Sequence, residues 1–244
     1  MIRPIAVALS LLVSAHLFAA KVEKRTLTSR GKERTYSIFV PDGVDTAKPM
    51  PLLITLHGSG RNGASLVDKW KPLAAKSGII VAGPDSINSA EWSAPEDGPQ
   101  LLFDLVETLK KEYPIDGRRV YLFGHSGGAC FALQMGLLES EYFAAVAIHA
   151  GSLHPSIYTL PSRASRKIPF SLFVGTKDPY FPVADVRATR DALVAGGCPA
   201  ELTEIPNHNH DYYSRSVMIN EQAWAFLEKH ALAADAKFTR YANT

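Results

Sequence analysis

The chain has 244 residues, 46% of them hydrophobic and 20% charged, and 26 basic against 24 acidic side chains leave a formal charge of +2. That is a globular composition, with enough apolar residues for the full core of one sizeable α/β domain. The near-balanced charge shows no basic patch, which excludes nucleic acid as an expected partner.

The first twenty residues differ from the rest. Arg3 precedes a run from Ile5 to Ala20 that holds no Asp, Glu, Lys or Arg, and Lys21 ends it. A basic start, an apolar stretch and small residues at its end are the marks of a secretory signal peptide. The run is too short for a confident membrane span. Residues 1–20 are therefore expected to be removed after Ala19 or Ala20, leaving a single domain over 21–244, secreted or periplasmic, with no stable membrane anchor. An uncleaved signal anchor is the alternative. Export permits a disulfide, and Cys130 and Cys198 are the two cysteines. Pairing requires their Cα atoms to come close, which sequence does not show.

Lys21 to Thr28 and Arg34 to Val40 flank Ser29-Arg30-Gly31-Lys32-Glu33 and predict an antiparallel hairpin. Strands and helices then alternate. Leu52 to His57 is a compact apolar strand. Leu66 to Ser77 reads as a helix with Gly78 as its stop. Ile79 to Ala82 is a short strand, and Leu101 to Tyr113 an amphipathic helix. Val120 to Phe123 is a strand followed by a helix-type run from Ala129 to Met135. Ala144 to Ile148, Phe170 to Val174 and Leu202 to Ile205 complete the strands, and Val183 to Ala195 and Glu221 to His230 the helices. Short apolar strands separated by helices predict a mostly parallel sheet with helices on both faces. Such sheets carry their reactive groups in loops at the carboxyl ends of the strands.

Between the Val120–Phe123 strand and the helix after it stands Gly124-His125-Ser126-Gly127-Gly128. Strand, G-x-S-x-G and helix in that order describe a nucleophile elbow, which lifts a serine hydroxyl above the sheet. The glycines beside Ser126 are expected both to leave room in a tight turn and to take its unusual backbone angles. A serine needs a base to take its proton, and the base needs an acid to orient it. The chain order for this elbow is Ser, then Asp or Glu, then His. That order removes Asp85, Asp104, His57 and His125, which precede Ser126. Asp178 fits the acid, in the loop Gly175-Thr176-Lys177-Asp178-Pro179 just past a strand. Asp185 is the runner-up but reads as the first turn of the next helix. For the base, His208 and His210 in Asn207-His208-Asn209-His210-Asp211 are both in position. His149 and His154 come before Asp178; His149 is expected to line the substrate pocket. His230 reads as a surface residue of the last helix.

The oxygen that turns negative during attack on an ester needs two N–H donors. One is the residue after the nucleophile, Gly127, and the other comes from an early strand-to-helix loop. His57-Gly58-Ser59-Gly60 suits that loop, with the backbone of Ser59 as donor. His208, His210 and Asp211 lack the spacing of a zinc site, so neither metal nor cofactor is expected.

In these motifs the chain resembles the α/β-hydrolases, and more narrowly the secreted esterases related to polyhydroxybutyrate depolymerases, feruloyl esterases and acetyl xylan esterases. The resemblance runs from about Arg34 to Tyr213. It is carried by Arg34-Thr35-Tyr36-Ser37-Ile38-Phe39-Val40-Pro41, by Pro51 to Gly58, by Tyr113-Pro114-Ile115-Asp116-Gly117-Arg118-Arg119-Val120-Tyr121, and by Gly175-Thr176-Lys177-Asp178. It implies a triad of Ser126, Asp178 and His210, with Ser59 and Gly127 as donors and Trp92 lining an acyl or sugar pocket. The implied activity is hydrolysis of a small-molecule or polysaccharide-linked ester. The family's frequent Cys in the oxyanion loop is Ser59 here, and its H-x-W-P is His210-Asp211-Tyr212-Tyr213. Those departures weigh against polymer degradation. A prolyl-oligopeptidase-like peptidase and a non-catalytic binding protein on the same scaffold are the other readings.

Overall fold

The computed structural model describes residues 21–43 and 47–234. The reading of residues 1–20 as a signal peptide lies outside them. β1 (Glu23–Ser29) and β2 (Lys32–Phe39) form the expected hairpin, with Ser29 opposite Lys32. Its connection is a two-residue turn rather than a five-residue loop. Arg30 and Gly31 both take positive φ, 51° and 72°, which matches the twist of the strands on either side.

β3 (Met50–Leu56), β4 (Ile80–Pro84), β5 (Ile115–His125), β6 (Ala145–His149), β7 (Phe170–Gly175) and β8 (Ala200–Ile205) complete the sheet. Among the described residues its order is β1-β2-β4-β3-β5-β6-β7-β8. β2 pairs antiparallel with both β1 and β4, and every pairing from β4 onward is parallel. The chain therefore has the expected α/β-hydrolase architecture.

The helices divide between the two faces. α1 (Ala64–Ser77) and α6 (Tyr212–Leu227) cover one; α2 (Pro99–Glu112), α3 (Gly127–Leu138), the short α4 (Leu160–Arg163) and α5 (Val183–Ala195) lie on the other. β5 shows how the period of two builds both cores at once. Val120 and Leu122 face the α2–α3 side, whereas Tyr121 and Phe123 face Trp70 and Trp224 on the α1–α6 side. All four are buried, each side chain contributing about 1.5–3 kcal/mol of apolar burial.

Two boundaries depart furthest from expectation. β5 begins at Ile115, five residues early. The polar stretch before Val120 is held by side chains: Asp116 pairs with Arg119, and Arg118 Nε donates to the Leu232 carbonyl. Arg118 thus ties the segment after α6 to the sheet, and the Leu232 N–H returns a bond to the Arg118 carbonyl. α6 begins at Tyr212 rather than Glu221. Asp211 caps it by accepting from the Tyr213 N–H at 3.1 Å, satisfying a donor that the first turn leaves free. Its buried positions, Tyr212, Ser216, Ile219, Ala223 and Leu227, follow the helical period.

Candidate active site

Ser126 stands at the carboxyl end of β5, between the strand and α3, with φ 56° and ψ −124°. Positive φ falls on the serine itself and on none of Gly124, Gly127 or Gly128. The glycines serve close approach instead. A Cβ on Gly124 would sit 2.3 Å from the Gly128 carbonyl oxygen, and one on Gly128 2.0 Å from that of Leu56. The elbow therefore stores strain at the one residue whose hydroxyl it presents.

His210 lies in the loop between β8 and α6. Its Nε2 is 2.9 Å from Ser126 Oγ, and its Nδ1 is 2.8 Å from Asp178 Oδ2. A carboxylate only accepts, so Nδ1 carries the proton and Nε2 offers its lone pair to the serine hydroxyl. Asp178 follows β7, and its side chain is shielded from solvent. Its other oxygen accepts from the Tyr180 and Phe181 amides, each at 2.9 Å, which fixes the carboxylate plane. Phe181 stacks on the His210 ring at 5.7 Å and Tyr180 meets it edge-on at 4.9 Å. Asp185 sits in the first turn of α5, as its runner-up status anticipated.

Two amides stand beside Ser126. The Ser59 N–H has no acceptor among the described residues, and Gly127, as the first residue of α3, has an N–H that the helix cannot use. A Cβ on Gly127 would lie 3.8 Å from Ser59 N, so the two are neighbours. His57 braces this loop. Its Nε2 accepts from Ser86 N at 3.2 Å, its Nδ1 donates to the Gly58 carbonyl at 2.9 Å, and its own carbonyl takes the Trp92 indole N–H at 2.8 Å. The loop carrying Trp92 is anchored in turn by the buried pair of Arg34 and Asp97, whose carboxylate also accepts from the Ile87 and Ser93 amides. Trp92 is half-buried and stacks on Phe131 at 5.1 Å.

A cavity of about 440 Å³ opens over Ser126 and His210. Arg61, Tyr180, Asn209 and Tyr213 help to line it, with the Arg61 guanidinium 5.0 Å from the Tyr213 ring centre. None of these four was singled out from sequence. The available signal was position alone: Tyr180 follows Asp178-Pro179, and Asn209 and Tyr213 flank His210.

His149 is not a pocket wall. It ends β6, a strand flanked by β5 and β7, and its side chain is turned beneath the elbow with no exposure. There it joins a chain of imidazoles. His149 Nδ1 is 3.0 Å from His125 Nδ1, and its Nε2 is 3.1 Å from His208 Nε2. His208 is therefore occupied below the site, while His210 is the histidine that meets Ser126. Cys130 and Cys198 are both free thiols. Among the described residues no cluster of His, Cys, Asp or Glu has the makings of a metal site.

Each ring-to-ring contact in this chain needs one N–H and one lone pair, so two neighbouring rings cannot both carry charge without breaking their contact. Burial, then the nearby His210, pushes His125 down to about 4. Burial also lowers His149 and, with Arg215 nearby, His208, against the opposing pull of Asp178 and Asp211 on His208. A histidine held neutral by the fold stabilises above its unfolded pKa of about 6.5 and loses that contribution as pH falls. Thermal stability is thus expected to decline between about pH 6.5 and pH 4. His125 alone accounts for about 3 kcal/mol at the acid end, taking one pKa unit as about 1.4 kcal/mol. His149→Gln, which keeps a donor and an acceptor but cannot titrate, flattens the curve of Tm against pH. A wild-type Tm that stays level from pH 7 to pH 4.5 would contradict this.

Known proteins similar to this chain bear on the same elements. A family model for phospholipases and carboxylesterases matches residues 97–231, a span that holds Ser126, Asp178 and His210. A bifunctional acetylxylan esterase/xylanase of Neocallimastix patriciarum is 29% identical over 153 residues, covering 61% of this chain and 22% of that protein. Feruloyl esterase C of Emericella nidulans is 29% identical over 130 residues, covering 49% of this chain and 47% of that one. The chain thus spans about a fifth and about half of these two relatives. Among solved structures, an S-formylglutathione hydrolase from Agrobacterium tumefaciens superposes with a TM-score of 0.71 at 17% identity, over 86% of this chain and 96% of that one. A ferulic acid esterase from Anaeromyces mucronatus, in complex with ferulic acid, gives 0.68 at 19%, over 84% and 89%. These structural likenesses establish the fold. The family match covers more than half of the 244 residues, elbow and histidine loop included, and on that ground the chain belongs to the phospholipase/carboxylesterase family.

Proposed function

We propose that this protein is a secreted serine hydrolase of carboxylic esters, acting through an acyl-enzyme. The observation that carries the reading is the continuous hydrogen-bonded line from Asp178 through His210 to Ser126, next to two uncommitted amides. His210 Nε2 takes the Ser126 proton as Oγ attacks the ester carbonyl. The amides of Ser59 and Gly127 hold the oxyanion, and Asp178 balances the imidazolium. His210 then protonates the departing alcohol, and afterwards activates the water that frees the serine. The names of the curated relatives favour feruloyl or acetyl esters attached to a small alcohol or to a polysaccharide. Secretion rests on the basic start, apolar run and small-residue end of residues 1–20.

An organophosphonate that mimics an ester is the direct test. It is expected to abolish hydrolysis of p-nitrophenyl acetate with one adduct per chain, located by peptide mass on Ser126. Hydrolysis that survives complete labelling, or labelling elsewhere, contradicts the reading.

A further inference from the structure

The leaving alcohol of an ester has to lie where His210 can reach it. Its oxygen must face His210 Nε2 to receive a proton. His210 lines the cavity of about 440 Å³ together with Arg61, Tyr180, Asn209, Asp211 and Tyr213. The side chains of this wall therefore act on the alcohol.

Two of them carry full charge, and only one of the two is committed. Asp211 accepts from the Tyr213 N–H through one oxygen, at the start of α6. That helix has no acidic residue in its first turn, so the Asp211 carboxylate is balanced by the helix's positive end. Arg61 has no such balance. It is exposed, and among the described residues no carboxylate and no hydrogen-bond acceptor takes its guanidinium.

Arg61 is nevertheless held at the wall. Its backbone N–H bonds to the Gly58 carbonyl at 3.1 Å, which ties it to the oxyanion loop. Its guanidinium lies over the Tyr213 ring, 5.0 Å from the ring centre. A guanidinium can rest against an aromatic face and still use its N–H donors, which point outward in its own plane. Those donors form a fork that matches the two oxygens of a carboxylate. The cavity also favours a flat occupant. Tyr180 is 73% exposed and meets His210 edge-on at 4.9 Å. With Tyr213, it gives a ring-shaped alcohol two aromatic side chains to lie against.

We propose that Arg61 selects the leaving alcohol by charge, and that this protein acts preferentially on esters of ring-shaped alcohols that carry a carboxylate. The proposal rests on the ester-hydrolase reading and narrows its substrate.

The test compares 4-acetoxybenzoate with 4-acetoxybenzamide. The two share an acyl group and a ring and differ in the charge on the alcohol. The measured quantity is kcat/KM, which includes acylation, the step in which the alcohol is still present. Each value is divided by the rate at which hydroxide hydrolyses the same ester, which removes the difference in leaving-group chemistry. The wild type is expected to favour the carboxylate by about tenfold at low salt. The preference is expected to shrink in about 1 M NaCl, where charges are screened beyond about 3 Å. Arg61→Gln is expected to abolish it, and Arg61→Glu to reverse it. Arg61 is exposed and precedes α1, so neither substitution touches the core. A normalised wild-type ratio at or below one overturns the proposal, as does a preference that survives both substitutions. Equal normalised rates beside good turnover of p-nitrophenyl acetate refute only the role of Arg61. A wild type that hydrolyses none of the three acetates refutes the ester-hydrolase reading, and this assignment with it.

Discussion

Ser126→Ala is expected to lower kcat for p-nitrophenyl acetate by about 10⁴-fold or more, the loss seen when a hydrogen-bonded nucleophile is removed from such a unit. The residual rate would come from the Ser59 and Gly127 amides and from binding. The loss must be chemical rather than structural, and the backbone of Ser126 offers a control. A non-glycine residue held at φ 56° costs about 1–3 kcal/mol, which glycine does not pay. Ser126→Gly should therefore be as inactive as Ser126→Ala yet melt a few degrees higher, about 2–4 °C per kcal/mol for a domain of this size. An alanine variant with more than a tenth of the wild-type rate would remove Ser126 from the chemistry.

Asp178→Asn is expected to lower kcat by about 10³–10⁴-fold while leaving the fold intact. The reason is specific to this loop. Asp178 Oδ1 is held by the Tyr180 and Phe181 amides, and Oδ2 by His210. An asparagine placed there keeps its carbonyl oxygen on the two amides, because its NH₂ cannot accept from them. Its NH₂ then faces His210 Nδ1, which must become the acceptor. The ring proton moves to Nε2, the atom 2.9 Å from Ser126 Oγ, and the base can no longer take the serine's proton. A merely structural role for Asp178 predicts a fall in Tm and a modest change in rate. A large loss of kcat with Tm preserved distinguishes the two.

Much of the fold is legible in the sequence. Val183–Ala195 was read to the residue, because Pro182 precedes it and Gly196-Gly197 follow it. Gly78 stops α1 in a left-handed turn, as a C-terminal glycine should. The errors share a physical origin. β5 gains five residues, Asp116, Arg118 and Arg119 among them, and α6 nine residues at its start, since partners remote in sequence, or a cap side chain, satisfy backbone that local hydrophobicity leaves unmarked. Arg30 takes positive φ beside Gly31, which shortens the hairpin connection to two residues.

The order of Ser126, Asp178 and the two late histidines, and the strand ends on which they stand, follow from the sequence alone, because turns and periodicity are local properties of the chain. Which imidazole meets Ser126 was decided by the tertiary structure. The parallel register of β5, β6 and β7 sets His125 beside His149, the buried His149 takes the ring of His208, and the loop turned by Asp211 and Tyr212 is left to bring His210 up to the serine. The same packing drew His149 out of the pocket and put Tyr180, Arg61 and Tyr213 into it. Convergence of side chains from separate strand ends depends on how the sheet twists and pairs, and no stretch of neighbouring residues encodes that.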